Sequence, residues 1–268
     1  VNILGLEREH QKIMLVLERC ECTLSIYCEN EWWSKGVMAP LSRIYQLLGS
    51  VVQAVAFLHN LGVAHADLKF ENILVDANGV PKLCDLGMAH NPNHLKENGK
   101  KVLGITAMCW KAPEVMAGKR HDLKIDIWAI GCLMYSLVKA ELLFRGQTLD
   151  QVAESILKRT NNRCVFGNLK SPDQFRDQRS KKRIEDIGKV INTVSIIEQE
   201  SWLCRFIAIV NRYYDPCKFE SYVTILEQCL SPNANDRPSA NVLVDMIMKR
   251  GTSPTSVTSE PDDLQFFL

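Results

Sequence analysis

The stretch GVAHADLKFENILV, Gly62 to Val75, decides the fold. Its two ends are apolar, as in short half-buried strands, but its middle is polar. Five polar side chains fall within eight positions there: His65, Asp67, Lys69, Glu71 and Asn72. So many polar groups between two apolar ends indicate a site for chemistry.

A tight hairpin is predicted directly after the apolar end of this stretch. The strand-like segments ILVD (73–76) and PKLCD (81–85) flank Asn78-Gly79, a pair that tolerates positive φ. Because a hairpin folds its ends together, we expect Asp67 and Asp85, eighteen positions apart, to reach one point.

The side chains gathered at that point suit a metal ion and a phosphate. Asp67, Asp85 and the amide of Asn72 form an all-oxygen set, which suits Mg²⁺. Lys69 adds an ammonium group suited to a phosphate. A hard cation, a phosphate and a free carboxylate together indicate phosphoryl transfer.

Five motifs, in the correct order, resemble those of eukaryotic protein kinases. HADLKFEN (65–72) resembles the catalytic loop, DLG (85–87) the metal-binding DFG motif, and APE (112–114) is intact. DIWAIGC (126–132) resembles the central helix of the large lobe, and Arg237 the late arginine that pairs with the APE glutamate, Glu114. The resemblance covers roughly Val1 to Lys249.

The resemblance implies a role for each polar side chain of the catalytic loop. Asp67 would orient the substrate hydroxyl and accept its proton, and Lys69 would neutralise charge on the transferring phosphoryl group. Asn72 and Asp85 would hold Mg²⁺ against the phosphates of ATP. A lysine two places after the aspartate resembles serine/threonine kinases, and His65 would be structural.

The segment LVLERC (15–20) resembles the last small-lobe strand and the hinge that receives adenine. By this resemblance Leu17 is the gatekeeper. Backbone groups of Glu18 and Cys20 would meet the purine edge, and Leu74 would pack beneath it.

The implied fold is α+β and protein-kinase-like, with a mainly helical large lobe and a two-strand remnant of the β-rich small lobe. The remnant and hinge would take residues 1–23, the large lobe 24–250 with an insert around 160–186, and a disordered tail 251–268. ELLFRGQTLDQVAESIL (141–157) resembles the cyclin-dependent and MAP kinase group. Apolar spacing predicts helices at 42–60, 123–139, 147–158, 187–197, 202–210, 219–228 and 240–248, and short strands at 3–6 and 13–17 with a turn at 7–12.

Composition narrows the class of partner. The chain has 268 residues, 46% hydrophobic, with a net charge of +1. We therefore expect neither nucleic acid nor a membrane as partner, but a protein substrate and a regulatory protein. The longest apolar run, 125–138, is too short to span a bilayer. Ten cysteines without a CxxC pair favour a reducing compartment, cytoplasmic or nuclear.

Several positions depart from the kinase pattern. Ala66 replaces the arginine that docks a phosphorylated activation loop, and Leu86 replaces the phenylalanine of DFG. Ala107 stands where a threonine would bond the catalytic aspartate and lysine, and Lys111 stands where proline-directed relatives carry arginine. His90 and His94 could form a metal pair, although Asn91-Pro92 between them favours a solvated loop.

The match begins beyond the glycine-rich phosphate loop and the small-lobe lysine. Two interpretations stay open: a fragment of an active kinase, which Val1 in place of a methionine favours, or a pseudokinase that acts as a protein-interaction scaffold. In either case the two N-terminal strands would show an uncovered apolar face.

Overall fold

The computed structural model describes residues 1–9, 12–94, 108–160, 214 and 216–251. The predicted helices at 187–197 and 202–210, nearly all of the insert and all of the tail beyond residue 251 lie outside these residues. The described helices are α1 (Leu24–Glu31), α2 (Leu41–Asn60), α3 (Pro113–Met116), α4 (Lys124–Lys139), α5 (Leu149–Thr160), α6 (Pro216–Cys229) and α7 (Ala240–Gly251). The strands are β1 (Ile3–Glu9), β2 (Lys12–Leu17), β3 (Cys22–Thr23), β4 (Ile73–Val75) and β5 (Pro81–Leu83).

Helix α4 forms the centre of the large lobe. Every residue from Ile125 to Val138 is buried, so the helix is apolar all round, as a helix enclosed by its own domain must be. Gly131 lets it come close to the end of α6, because a Cβ there would lie 2.8 Å from side-chain atoms of Leu230. The buried helix predicted at 123–139 is confirmed.

Helix α2 packs along α7 and over β5. Its buried positions recur at helical spacing: Ile44, Leu47, Leu48, Val51, Val52 and Val55. It is long and apolar enough to meet the criterion for a membrane span, but half of its most apolar window is buried in the protein, as in a core helix. Gly62, at φ 72°, turns the chain out of the helix toward the catalytic loop.

The hairpin predicted at the Asn-Gly pair is present. Strand β4 pairs antiparallel with both β3 and β5, with Leu74 opposite Thr23 and Lys82. The Asp76 carboxylate accepts two backbone N–H bonds in the turn, and Gly79 takes φ 74°. Since β3 belongs to this sheet, the predicted small-lobe remnant, residues 1–23, ends with two residues that pair with the large lobe.

Strands β1 and β2 form a separate two-stranded sheet. They are longer than predicted: Glu7 pairs with Met14 and Glu9 with Lys12, positions that the polar pattern assigned to a turn. Backbone pairing continues there because the side chains of both strands are largely solvated, so polar side chains are not removed from water. The exposed apolar side chains are Ile3, Leu4, Leu6, Ile13, Met14, Leu15 and Leu17. Because side chains alternate along a strand, Ile13, Leu15 and Leu17 share one face with Leu6, which pairs with Leu15, and these four form the uncovered face expected of this hairpin.

Candidate active site

A buried carboxylate at the start of α4 holds the catalytic loop by hydrogen bonds. Asp126 accepts the backbone N–H groups of His65 (2.7 Å) and Ala66 (2.9 Å), and the ring of His59 lies 2.9 Å from the same carboxylate. Ala66 has φ 62°, a left-handed conformation uncommon for a residue with a side chain. The two backbone bonds to Asp126 therefore hold the peptide that leads into Asp67, and His59 holds the carboxylate.

His65 is buried and joins the loop to the segment after β5. Its Nε2 lies 2.9 Å from the carbonyl oxygen of Cys84, and its Nδ1 accepts the N–H of Asp67 at 3.3 Å. The imidazole thus bridges two parts of the site, as expected of a structural histidine.

The Asp67 carboxylate lies at the centre of the site, and the side chain is largely buried. Its Oδ2 accepts from Lys69 Nζ at 2.8 Å and from Asn72 Nδ2 at 2.9 Å, and its Oδ1 accepts from Lys111 Nζ at 2.9 Å. Burial alone would raise the pKa of Asp67, but the hydrogen bonds from Lys69 and Lys111 outweigh it and hold the pKa below the usual value. The carboxylate is therefore ionised at neutral pH.

Asn72 and Asp85 are brought to the same end of the β4–β5 hairpin. The N–H of Cys84 donates to the carbonyl of Asn72 at 3.0 Å, which places Asp85 one residue from this bond. Asp85 has φ 60° and an exposed carboxylate whose Oδ1 accepts the N–H of Gly87 at 3.1 Å. Since Asn72 Nδ2 donates to Asp67, its Oδ1 is the atom left for a cation.

These donors suit Mg²⁺, which is bound in proteins by one or two carboxylates plus substrate phosphates. The described residues hold no cluster of three histidine, cysteine or acidic side chains at metal-binding distance. Fewer oxygen ligands are available to a metal ion than the residue pattern predicted. Both oxygens of Asp67 already accept from Lys69, Asn72 and Lys111, so Asn72 and Asp85 are left as the candidate ligands.

The predicted hinge runs from β2 to β3 beside the end of β4. The N–H of Glu18 donates to the carbonyl of Asn2 at 2.9 Å, so the backbone group of Glu18 that remains for a purine is its carbonyl. Leu17 is 45% exposed, Cys20 is half-buried, and Leu74 is half-buried in β4. The assignment of Leu17, Glu18, Cys20 and Leu74 to an adenine site stays a prediction.

Two residues of the site were missed by sequence reasoning. Lys111 was considered only for substrate specificity, yet its buried ammonium contacts Asp67 and the carbonyl of Ala66. Asp126 was given no role, although it is the one charged side chain in the apolar run that follows Lys124. A lone carboxylate inside a core helix needs partners, and that signal could have identified Asp126.

The predicted pair of Glu114 and Arg237 is confirmed. The guanidinium donates to both carboxylate oxygens, at 2.6 and 2.9 Å, and Arg237 is 1% exposed. Arg237 also donates to the carbonyl of Ser231 at 2.8 Å and lies over the ring of Trp128. This pair ties the APE segment, including α3, to the base of the large lobe.

His90 pairs with His121, and the side chain of His94 lies outside the described part of the chain. The two Nε2 atoms lie 3.0 Å apart, and His90 Nδ1 lies 2.9 Å from the carbonyl of Met88. If His90 is neutral, its Nδ1–H donates to that carbonyl and its Nε2 accepts from His121. Burial and the neighbouring His90 lower the pKa of His121 below its ordinary value of 6.5.

The lowered pKa of His121 predicts a loss of stability in mild acid. Above pH 6.5 the ring is neutral in the folded and unfolded states, so its titration does not change the free energy of unfolding. Below pH 6.5 the unfolded chain binds the proton first, and stability falls until the folded pKa is passed. Urea midpoints measured from pH 8 to pH 5 should fall less steeply for His121→Gln than for the unsubstituted chain. Equal slopes would contradict the lowered pKa of His121.

The comparisons with known proteins agree with this geometry. A family model described as protein kinase domain matches residues 1–247. The chain belongs to the protein kinase family.

The similar curated proteins are serine/threonine kinases and related kinases. Serine/threonine-protein kinase SSN3 of Scheffersomyces stipitis is 32% identical over 52% of this chain and 33% of its own length. Glycogen synthase kinase-3 homolog YGK3 of Saccharomyces cerevisiae is 28% identical over 57% of this chain and 41% of its own. Human cyclin-dependent kinase-like 2 is 28% identical over 71% and 40%. The chain thus spans less than half the length of each of these relatives.

Proposed function

We propose that this chain carries the catalytic part of a protein serine/threonine kinase, which transfers the γ-phosphoryl group of ATP to serine and threonine hydroxyls of proteins. One observation carries the proposal: the buried Asp67 carboxylate is held by Lys69, Asn72 and Lys111 at one end of a hairpin that also bears Asp85. The relatives' names and the family match support it.

In this reaction the oxygen of the substrate hydroxyl loses its proton and forms a new bond to the γ-phosphorus of ATP. The bond between that phosphorus and the bridging oxygen of ATP breaks, and ADP leaves with its electron pair. Asp67 orients the hydroxyl and takes its proton. Its lowered pKa makes it a weak base, which fits a loose transition state where the hydroxyl loses its proton late. Lys69 stands 2.8 Å from the same carboxylate and faces charge on the transferring group.

Mg²⁺ bound to Asn72 and Asp85 would neutralise charge on the phosphates. The oxygens of Asn72 and Asp85 are the donors this ion prefers, and the left-handed backbone at Asp85 turns its carboxylate outward to solvent. The hinge carbonyl of Glu18 and the backbone of Cys20 would receive adenine, with Leu17 and Leu74 on its apolar faces.

The net charge and the cysteines support proposals on partners and compartment. The partners are protein substrates and a regulatory protein, with neither nucleic acid nor a membrane, because a net charge of +1 gives no attraction to either. The described cysteines are all free thiols, which supports a cytoplasmic or nuclear location.

A second candidate function is a pseudokinase scaffold. Ala66 in the catalytic loop removes the receiver of an activation-loop phosphate, and the exposed face of β1 and β2 offers an apolar surface to a partner. Such a protein would bind partners and transfer nothing.

Binding of Mg·ATP separates the kinase from a scaffold that has lost its nucleotide site. A ligand at about 100 times its Kd stabilises a protein by about 2.7 kcal/mol, which raises Tm by roughly 5–10 °C for a chain of this size. We expect this shift in the 268-residue chain, and its loss in Asp85→Asn when Mg²⁺ is present. Asp245→Asn, an exposed carboxylate on α7, is the matched control. Absence of any shift in the unsubstituted chain would contradict a nucleotide site.

A further inference from the structure

Lys111 has a buried ammonium group that, among the described residues, hydrogen-bonds to two groups of the catalytic loop. The side chain is 6% exposed, and Nζ donates to Asp67 Oδ1 at 2.9 Å and to the carbonyl of Ala66 at 2.5 Å. Lysine is rarely buried unless paired, because the cost of removing its charge from water must be offset by a counter-charge. Asp67 supplies that counter-charge.

The Lys111 ammonium fixes the rotation of the Asp67 carboxylate. Oδ2 has two donors, Lys69 and Asn72, while Oδ1 has Lys111. Lys69 is more exposed than Lys111, with side-chain exposures of 23% and 7%, so Lys69 is the one able to turn toward a phosphate. If Lys69 does so, Lys111 and Asn72 still hold the carboxylate.

The same ammonium holds the strained peptide before Asp67. Ala66 has φ 62°, its carbonyl accepts from Lys111, and its N–H donates to Asp126. The sequence leads one to expect a lost donor to Asp67 at Ala107. Lys111 supplies a donor to that carboxylate from four positions further along the chain.

Lys111 also connects Asp67 to the APE segment. It lies three residues before Glu114, whose carboxylate is anchored by Arg237. The short segment 111–114 is therefore attached at one end to the catalytic carboxylate and at the other to the base of the lobe. A shift of this segment would move the donor to Asp67 Oδ1.

We propose that Lys111 is a positioning residue, which keeps the Asp67 carboxylate turned toward the substrate hydroxyl. The proposal rests on the proposed phosphoryl transfer. It predicts that loss of the ammonium lowers kcat while leaving KM for ATP unchanged, because Lys111 contacts neither the hinge nor the candidate Mg²⁺ ligand Asp85.

The test compares Lys111→Met, Lys111→Arg and the control Lys119→Met, a half-exposed lysine eight positions further along the chain. We expect kcat to fall on the order of 10- to 100-fold in Lys111→Met, since misplacing a reacting group costs about that much. Lys111→Arg should recover most of the loss, and Lys119→Met should behave as the unsubstituted chain. Unchanged kcat in Lys111→Met would overturn the proposal, as would a loss confined to KM.

A second measurement does not depend on activity. The loss of urea midpoint caused by Lys111→Met is measured in two backgrounds, one with Asp67 and one with Asp67→Asn. If the two groups are coupled, the substitution lowers the midpoint more where the Asp67 charge is present. Equal losses in both backgrounds would overturn the proposal. If the unsubstituted chain transfers no phosphate, the proposed function fails, and the midpoints still decide whether Lys111 acts on Asp67.

Discussion

Replacing Asp67 with asparagine is expected to lower the rate of phosphoryl transfer by on the order of 100- to 10,000-fold, the usual contribution of a positioned proton acceptor. Asparagine has nearly the same shape as aspartate, so the substitution leaves no cavity in the site. It carries no charge and cannot take the proton, and its NH₂ group would face the ammonium of Lys69 or of Lys111. The measurement is the initial rate of transfer from Mg·ATP to a generic protein substrate.

The control for this variant is Asp245→Asn, which removes an exposed carboxylate far along the chain and should leave the rate unchanged. Circular dichroism of both variants separates lost chemistry from lost folding. A folded Asp67→Asn variant that keeps the full rate would show that another group accepts the proton, and the assignment of Asp67 would be wrong.

Glu114→Gln is expected to destabilise the chain by roughly 3–5 kcal/mol, the range measured when one partner of a buried ion pair is removed. Arg237 would stay buried without a counter-charge, with the glutamine amide oxygen and backbone carbonyls, among them those of Ser231 and Lys124, as its acceptors. The measurement is the free energy of unfolding from urea titrations at neutral pH.

The matched control uses an ion pair at the surface. Arg145 Nη2 lies 2.6 Å from Glu141 Oε2, the same length as the shortest bond of the buried pair, but both side chains are at least one third exposed. Glu141→Gln should cost less than about 1 kcal/mol, because water screens the pair and solvates the partner that remains. If the two substitutions cost the same, burial does not set the strength of the Glu114–Arg237 pair.

Local signals predicted the parts of the site that depend on neighbouring residues. The Asn-Gly pair predicted the β4–β5 hairpin, because a short turn depends on local φ angles and Gly79 takes φ 74° between the paired residues Val75 and Pro81. Once that turn forms, Asn72 and Asp85 must come close. The spacing of apolar residues likewise predicted α2, since a buried helical face requires that spacing, and the long apolar run at 125–138 predicted the fully buried α4.

Contacts between distant segments were not predictable from local pattern. Lys111 contacts Asp67, 44 positions away in sequence, and His121 contacts His90, 31 positions away. Neither contact can be recognised from composition or periodicity. Helix α1 was missed as well, because eight residues with only Leu24 and Cys28 buried give too little periodicity to detect. Its start depends on Thr23, whose hydroxyl accepts the N–H of Ile26.

Transfer of label from γ-labelled ATP to a generic acceptor protein, followed by phosphoamino-acid analysis, tests most directly whether the Asp67 site is a phosphoryl-transfer site. The 268-residue chain should place label on serine and threonine, and only when Mg²⁺ is present. Absence of label under conditions where the chain is folded and Mg·ATP raises its Tm would contradict catalysis, and would leave a nucleotide-binding scaffold.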